Sequence, residues 1–130
     1  MILKVQPDTQ KSEALCKIAK ITLERLKEID AKRYPSNSLV DYYDTIHKLM
    51  EALTLGKGIK VKGEGAHQEL IDIISKKFGL NEQTRIFLQQ MRDYRNRISY
   101  EGFMVSQNYI EQNEKRIKEI IELLFKLLKK

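Results

Sequence analysis

At 130 residues the chain has room for one hydrophobic core and too little length for two independent ones, so a single domain over residues 1–130 is expected. Lys and Arg number 24 against 18 Asp and Glu, a net charge of +6 that favours an anionic partner such as RNA or DNA; a charged fraction of 32% in a Lys-, Glu- and Ile-rich chain suits equally well a thermophile with surface ion-pair networks. The single cysteine, Cys16, excludes an intramolecular disulfide and a cysteine metal cluster and fits a reducing cytoplasm, while Met1 to Gln10 lacks an export signal and no apolar run is long enough to span a membrane.

Ile2 to Val5 reads as an ordered arm or a frayed terminus, the only place where a strand is expected. Leu15, Ile18, Thr22, Leu26 and Ile29 recur at helical spacing, and Pro35 is expected to stop this first long helix soon after Arg33. Ser36 to Ser38 offer N-caps for a second helix, whose inner stripe is Leu39, Tyr43, Ile46, Met50 and Leu53. Gly56 through Gly65, with Lys57, Lys60 and Lys62 between, reads as an exposed, flexible basic loop, because ordering a glycine-rich backbone is entropically unfavourable. A short third helix follows over roughly Ala66 to Lys77.

Gly79 breaks the chain and Asn81 caps a fourth helix with Phe87, Met91, Tyr94 and Ile98 on its inner stripe, ending near Tyr100 to Gly102. A last helix begins near Ser106 and carries Ile110, Ile117, Ile120, Leu124 and Leu127, with Ile121 and Leu128 as surplus apolar positions suited to a dimer contact. Its closing Lys129 and Lys130 complement the helix dipole. The pattern predicts an all-α, up-and-down bundle of four long helices and one short one.

At about 100° per residue, Arg95 falls between Met91 and Leu88, on the margin of an apolar stripe where solvated arginines do not normally stand. A guanidinium there must snorkel outward, pair with an acid such as Asp41 or Asp44, or hold a phosphate. Arg92, Arg95 and Arg97 lie within two turns, with only Asp93 between them and Glu101 just beyond, so an anion site is a reasonable alternative to an internal ion pair. His47 and His67 read first as packing or capping residues. Two histidines and one cysteine without ligand spacing make no metal site, and Gly58 to Gly63 lacks the Gly-Lys-Ser/Thr ending of a phosphate-binding loop, so no metal or cofactor is expected. Among the tyrosines at 42, 43, 94, 100 and 109, Tyr43 and Tyr94 match the inner stripes, and the others offer stacking surfaces only if exposed.

The run Met91-Arg92-Asp93-Tyr94-Arg95-Asn96-Arg97-Ile98-Ser99-Tyr100 resembles the final-helix motif of HEPN domains, in which an Arg, usually followed by Asn, precedes a His by four to six residues. Asp41-Tyr42-Tyr43, Glu51-Ala52-Leu53, Gly58-Ile59-Lys60 and Gly65-Ala66-His67 extend the likeness over roughly Ser38 to Gly102. In that family Arg and His from two protomers converge at a dimer interface and cleave RNA without a metal. The resemblance therefore implies a homodimer of toxin–antitoxin or defence type, in which Arg95 holds phosphate, Asn96 orients it, and Arg92 and Arg97 add nucleic-acid contacts. Tyr100 stands where the His belongs. A phenol titrating near pH 10 is a poor proton acceptor at neutral pH, so the expected function is RNA or nucleotide binding with weak or absent ribonuclease activity. Alternatives are an active metal-independent endoribonuclease toxin, with Arg95 and Tyr100 or a histidine from elsewhere as catalytic residues, and a substrate-binding partner subunit of a minimal nucleotidyltransferase. If the fourth helix runs through Tyr100, that side chain points well away from Arg95, and only a second protomer unites them.

Overall fold

In the computed structural model, which describes residues 1–130, Pro35 opens a helix instead of closing one. The chain runs β1 (Ile2–Lys4), α1 (Thr9–Lys27), α2 (Pro35–Gly56), β2 (Ile59–Val61), α3 (Ala66–Phe78), α4 (Glu82–Glu101) and α5 (Gln107–Leu128). Helix α1 begins at Asp8, whose carboxylate accepts the Lys11 amide at 2.9 Å, and stops at Lys27, short of the expected Arg33. The cause is Asp30, whose side chain accepts the Lys32 amide at 3.1 Å while its carbonyl accepts that of Arg33, and this local turn competes with helix continuation.

Proline fits the first helical position of α2, because its fixed φ is already helical and its missing N–H is one that a helix start leaves unpaired. Neither Ser36 nor Ser38 caps. Ser36 Oγ accepts the Val105 amide at 3.0 Å and Ser38 Oγ donates to the Ala31 carbonyl at 3.1 Å, so both tie neighbouring loops to the helix.

Helix α2 is the axis of an all-α bundle and touches each of the other four helices. Leu39, Tyr43, Ile46, Leu49 and Met50 are fully enclosed along it. The α1 contact is rotated from the expected stripe: Ala19 and Leu26 are buried, whereas Ile18 and Ile29 face outward. Small side chains explain the rotation. Ala19 and Ala52 are both enclosed and let the helices approach until Ser12 Oγ donates to the Ala52 carbonyl at 2.8 Å. Arg25 paired with Asp41 sets α1 antiparallel to α2; Arg95 against Asp44 and Val105 against Ser36 do the same for α4. Helix α5 runs parallel to α2, with Glu114 beside Tyr42 and its C-terminal leucines beside Leu53. Ile121, expected as a surplus dimer position, lies in the core. No helix is long and apolar enough to cross a membrane.

The segment expected as a flexible loop is partly a strand. Ile59–Val61 pairs antiparallel with Ile2–Lys4, in the register Ile2 to Val61, Leu3 to Lys60 and Lys4 to Ile59. The β-branched residues flanking Lys60 supply the alternation, and Gly58 lets the strand begin. Its φ is +75°, and a Cβ there would stand 2.7 Å from the Val5 carbonyl oxygen. The terminal amine of Met1 donates to the Lys62 carbonyl at 2.8 Å and reaches the Glu69 carboxylate, so this two-stranded clip anchors the first turn of α3.

Candidate functional site

Helix α4 starts at Asn81, whose side chain accepts the Thr84 amide at 2.8 Å, and is continuous to Glu101, where Gly102 takes the left-handed conformation. That continuity decides where each arginine goes. Arg95 lies against α2, its Nε 3.2 Å from Asp44 Oδ1 and its Nη1 3.4 Å from Asn96 Oδ1. The side chain is 21% exposed. Two of the five guanidinium N–H groups are thereby engaged and the rest have no protein partner. Arg92, one turn earlier, donates from Nε to Gln89 at 2.8 Å and is half-buried on the same margin. Of the two acids expected as partners for Arg95, Asp44 is the one that serves, and Asp41 pairs with Arg25 at 2.8 Å.

Arg97 and Tyr100 leave on other sides. Arg97 lies 4.2 Å above the Phe103 ring, with its Nε 4.0 Å from Glu101, and Phe103 packs on Tyr94 with ring centroids 5.5 Å apart. Tyr100 is 79% exposed. Five residues of unbroken helix turn it about 140° from Arg95, so one chain does not bring the two together. Tyr42, Tyr43, Tyr94 and Tyr109 are wholly or partly enclosed, which leaves Tyr100 as the exposed member of the five tyrosines considered for stacking. Tyr109 contributes a buried hydroxyl without a partner, its pKa pushed up to about 12 by burial.

What the sequence did not place is an imidazole pair beside Arg95. Tyr43, Asp44, His47 and Glu51 follow one another along the side of α2 that meets α3 and α4, and His67 enters from the first turn of α3. The two imidazoles stack with centroids 3.9 Å apart and planes 15° from parallel. His47 Nδ1 lies 3.0 Å from Glu51 Oε1, and His67 Nδ1 lies 3.3 Å from the Tyr43 hydroxyl. Burial holds His67 far below the usual histidine range, at about 4, and the charges of His47 and Arg95 push the same way. Burial also raises Tyr43, against the opposing pull of Arg92 and Arg95, so its phenol keeps the proton, and which of the two groups donates follows the tautomer of His67. The hydrogen bond from His47 holds Glu51 below the ordinary carboxylate range despite burial.

Each imidazole thus has its Nδ1 tethered and its Nε2 unpartnered. A carboxylate-backed ring keeps its proton on Nδ1 and presents a bare Nε2; a neutral ring beside a phenol, which both donates and accepts, has no such fixed tautomer. Both rings line a cleft of about 160 Å³ whose rim includes Lys11 and Lys60. No three His, Cys, Asp or Glu side chains converge as a metal-holding group. A larger cleft of about 590 Å³, between Leu26 of α1 and Phe125 of α5, is lined by Tyr42 and Ile121 but by none of the arginines or histidines singled out from sequence. The i, i+4 spacing of His47 and Glu51 was a readable sign of their pairing, whereas nothing in the sequence brings His67 to them. The chain matches no protein-family model, and comparison with curated proteins and with solved structures returns no match.

Proposed function

We propose that this protein is a HEPN-like domain that binds the phosphate backbone of single-stranded RNA through Arg95, with Arg92 beside it. The observation that carries this reading is the state of Arg95: a guanidinium fixed by Asp44 and Asn96 at a partly open surface, with the remainder of its donors unclaimed. Such a pre-oriented fork recognises a phosphate at little entropic expense. Lys11 and Lys60 across the adjacent cleft and the net charge of +6 favour the approach of a polyanion. Arg97, engaged with Phe103 and Glu101, is excluded from the phosphate contact. In this reading the protein acts in the cytoplasm as a homodimer of toxin–antitoxin or defence type. The exposed Tyr100 and Met104 at the end of α4 offer apolar surface for the second copy.

The test is fluorescence binding of a short single-stranded RNA at two salt concentrations, with native protein and Arg95→Ala. Loss of affinity in the variant beyond what removal of any one lysine produces supports a phosphate site at Arg95. Equal, salt-erased binding by both proteins leaves Arg95 as the closing member of an ion pair.

A further inference from the structure

Helices α1 and α5 both lie on α2 and pack on it far more than on each other, which leaves the cleft of about 590 Å³ between them, a size that encloses small organic molecules. Its walls are apolar, formed by Leu23, Leu26, Ile29, Ala31, Ile121 and Phe125. One acid is set into them. The Glu114 side chain is only 23% exposed, and its Oε2 accepts the hydroxyl of Tyr42, itself buried. The cations of the cleft stand at its rim: Lys27, Lys32 and Lys118 are exposed, as are Asp30 and Glu122. Lys118, one turn along α5, is the nearest to Glu114, yet its Nζ stays 3.9 Å from Oε1, beyond hydrogen-bond length, with the side chain 60% exposed. A carboxylate has about four acceptor sites, so a half-enclosed one that holds a single phenol is short of donors.

From this placement we infer that the cleft binds an amphipathic ammonium, a primary amine on an aryl or alkyl body, whose apolar part lies between Leu26 and Phe125 and whose N–H groups donate to Glu114 Oε1. The order of charges favours that ligand over its opposite. An acid of the same shape brings its carboxylate against Glu114, while the lysines able to pair with it stand outside the apolar walls in water, where an ion pair contributes little. A neutral alcohol gains the same apolar burial but lacks the charge-assisted hydrogen bond. The phenol of Tyr42 holds one oxygen of Glu114 and so orients the other before a ligand arrives. This site is separate from the one at Arg95. Five residues of α2 turn Tyr42 about 140° from His47, and neither arginine nor histidine lines the cleft, so the phosphate-binding reading and this one stand or fall independently.

Three probes of one shape test this on the full chain: phenylbutylamine, charged at neutral pH as a lysine is, phenylbutanol and phenylbutanoate, each with its polar group at the chain end. Each is titrated while the amide NMR shifts are followed. The amine should bind about 10-fold or more tighter than the alcohol, the worth of one charge-assisted hydrogen bond, and the acid weakest of the three, with the shifts gathered on Leu26, Ala31, Tyr42, Glu114 and Phe125. Glu114→Gln keeps an acceptor for Tyr42 and should bring the amine down to the level of the alcohol. Lys118→Ala removes the competing cation and should tighten the amine about two- to threefold. Alcohol or acid binding as tightly as the amine overturns the proposal. So does absence of amine binding at millimolar concentration, amine binding undiminished in a folded Glu114→Gln, or shifts scattered over acidic residues elsewhere. If Glu114→Gln does not fold, the ranking of the probes and Lys118→Ala decide, and a Lys118→Ala protein that holds the amine no tighter than the native chain overturns it.

Discussion

The two margins of α4 carry similar residues to different ends. One margin sets Arg92 and Arg95 against α2, where Asp44, Tyr43 and the stacked histidines surround them with polar groups. The other sets Arg97 on the Phe103 ring and leaves Tyr100 in solvent. Only about 200° of helical rotation separates Arg95 from Arg97. The difference teaches that an arginine cluster in sequence is not a cluster in space, and that the neighbouring element decides whether a guanidinium keeps free donors beside an acid or lies on a ring.

Four perturbations test this contrast, in decreasing order of expected effect. Met91, fully enclosed on the stripe between the two margins, supports both; Met91→Ala should cost about 2–5 kcal/mol in denaturant unfolding, and a smaller loss would mean that the margins are held independently of the core. Next comes the arginine pair itself. Arg95→Ala should weaken single-stranded RNA binding about 10- to 100-fold, the worth of a charged hydrogen-bonding group, while Arg97→Ala should change it less than about threefold; the reverse ranking would move the site to the other margin.

A third effect concerns His67, held at about 4 in the folded chain against an ordinary value of 6.5. Above pH 6.5 the ring is neutral in both states. As pH falls from 6.5 towards 4, the unfolded chain takes up a proton that the folded chain refuses, so stability drops across that window and the drop ends below it. A loss of about 1–2 kcal/mol is expected, discounted because the ring is only partly enclosed, and His67→Gln should flatten that part of the pH–stability curve. An unchanged slope in the variant would show the imidazole margin to be as well solvated as the other. The smallest effect belongs to Tyr100→Ala, which should alter stability by less than about 0.5 kcal/mol in thermal unfolding; a larger loss at high protein concentration alone would reveal a second copy covering that side chain.

Much of this architecture can be read along the chain. Helices α3, α4 and α5 begin and end where Asn81, Ser106 and the glycines at 79 and 102 suggest, because caps and left-handed turns are local devices. The angle that put Arg95 on a margin and separated Tyr100 from it follows from helical rotation alone, and the structure agrees; of the two acids offered as partners, Asp41 and Asp44, only the packing of α4 on α2 selects Asp44. The misreadings lie where local signals compete or partners are remote. Pro35 marks either side of a helix boundary; α1 is turned by its close approach to α2, where Ala19 is enclosed and Ser12 reaches the Ala52 carbonyl, which no periodicity contains; β2 needs β1, far away in sequence. His67 reaches His47 for the same reason, through tertiary packing of α3 on α2.

The pairing of Ile2–Lys4 with Ile59–Val61 closes a chain loop around the whole α1–α2 hairpin, and the entropy lost in that closure is set against only a short, edge-like ladder. Such a closure opens before the helical core does. Since the first turn of α3 is fastened to it through Met1 and Glu69, the segment that carries His67 has its own, lower threshold for release, and amides of β1, β2 and the start of α3 will exchange with solvent while those of α2 stay protected. The imidazole pair is then a property of an intact clip more than of an intact bundle: a protein that still looks fully helical in solution can already have parted its histidines.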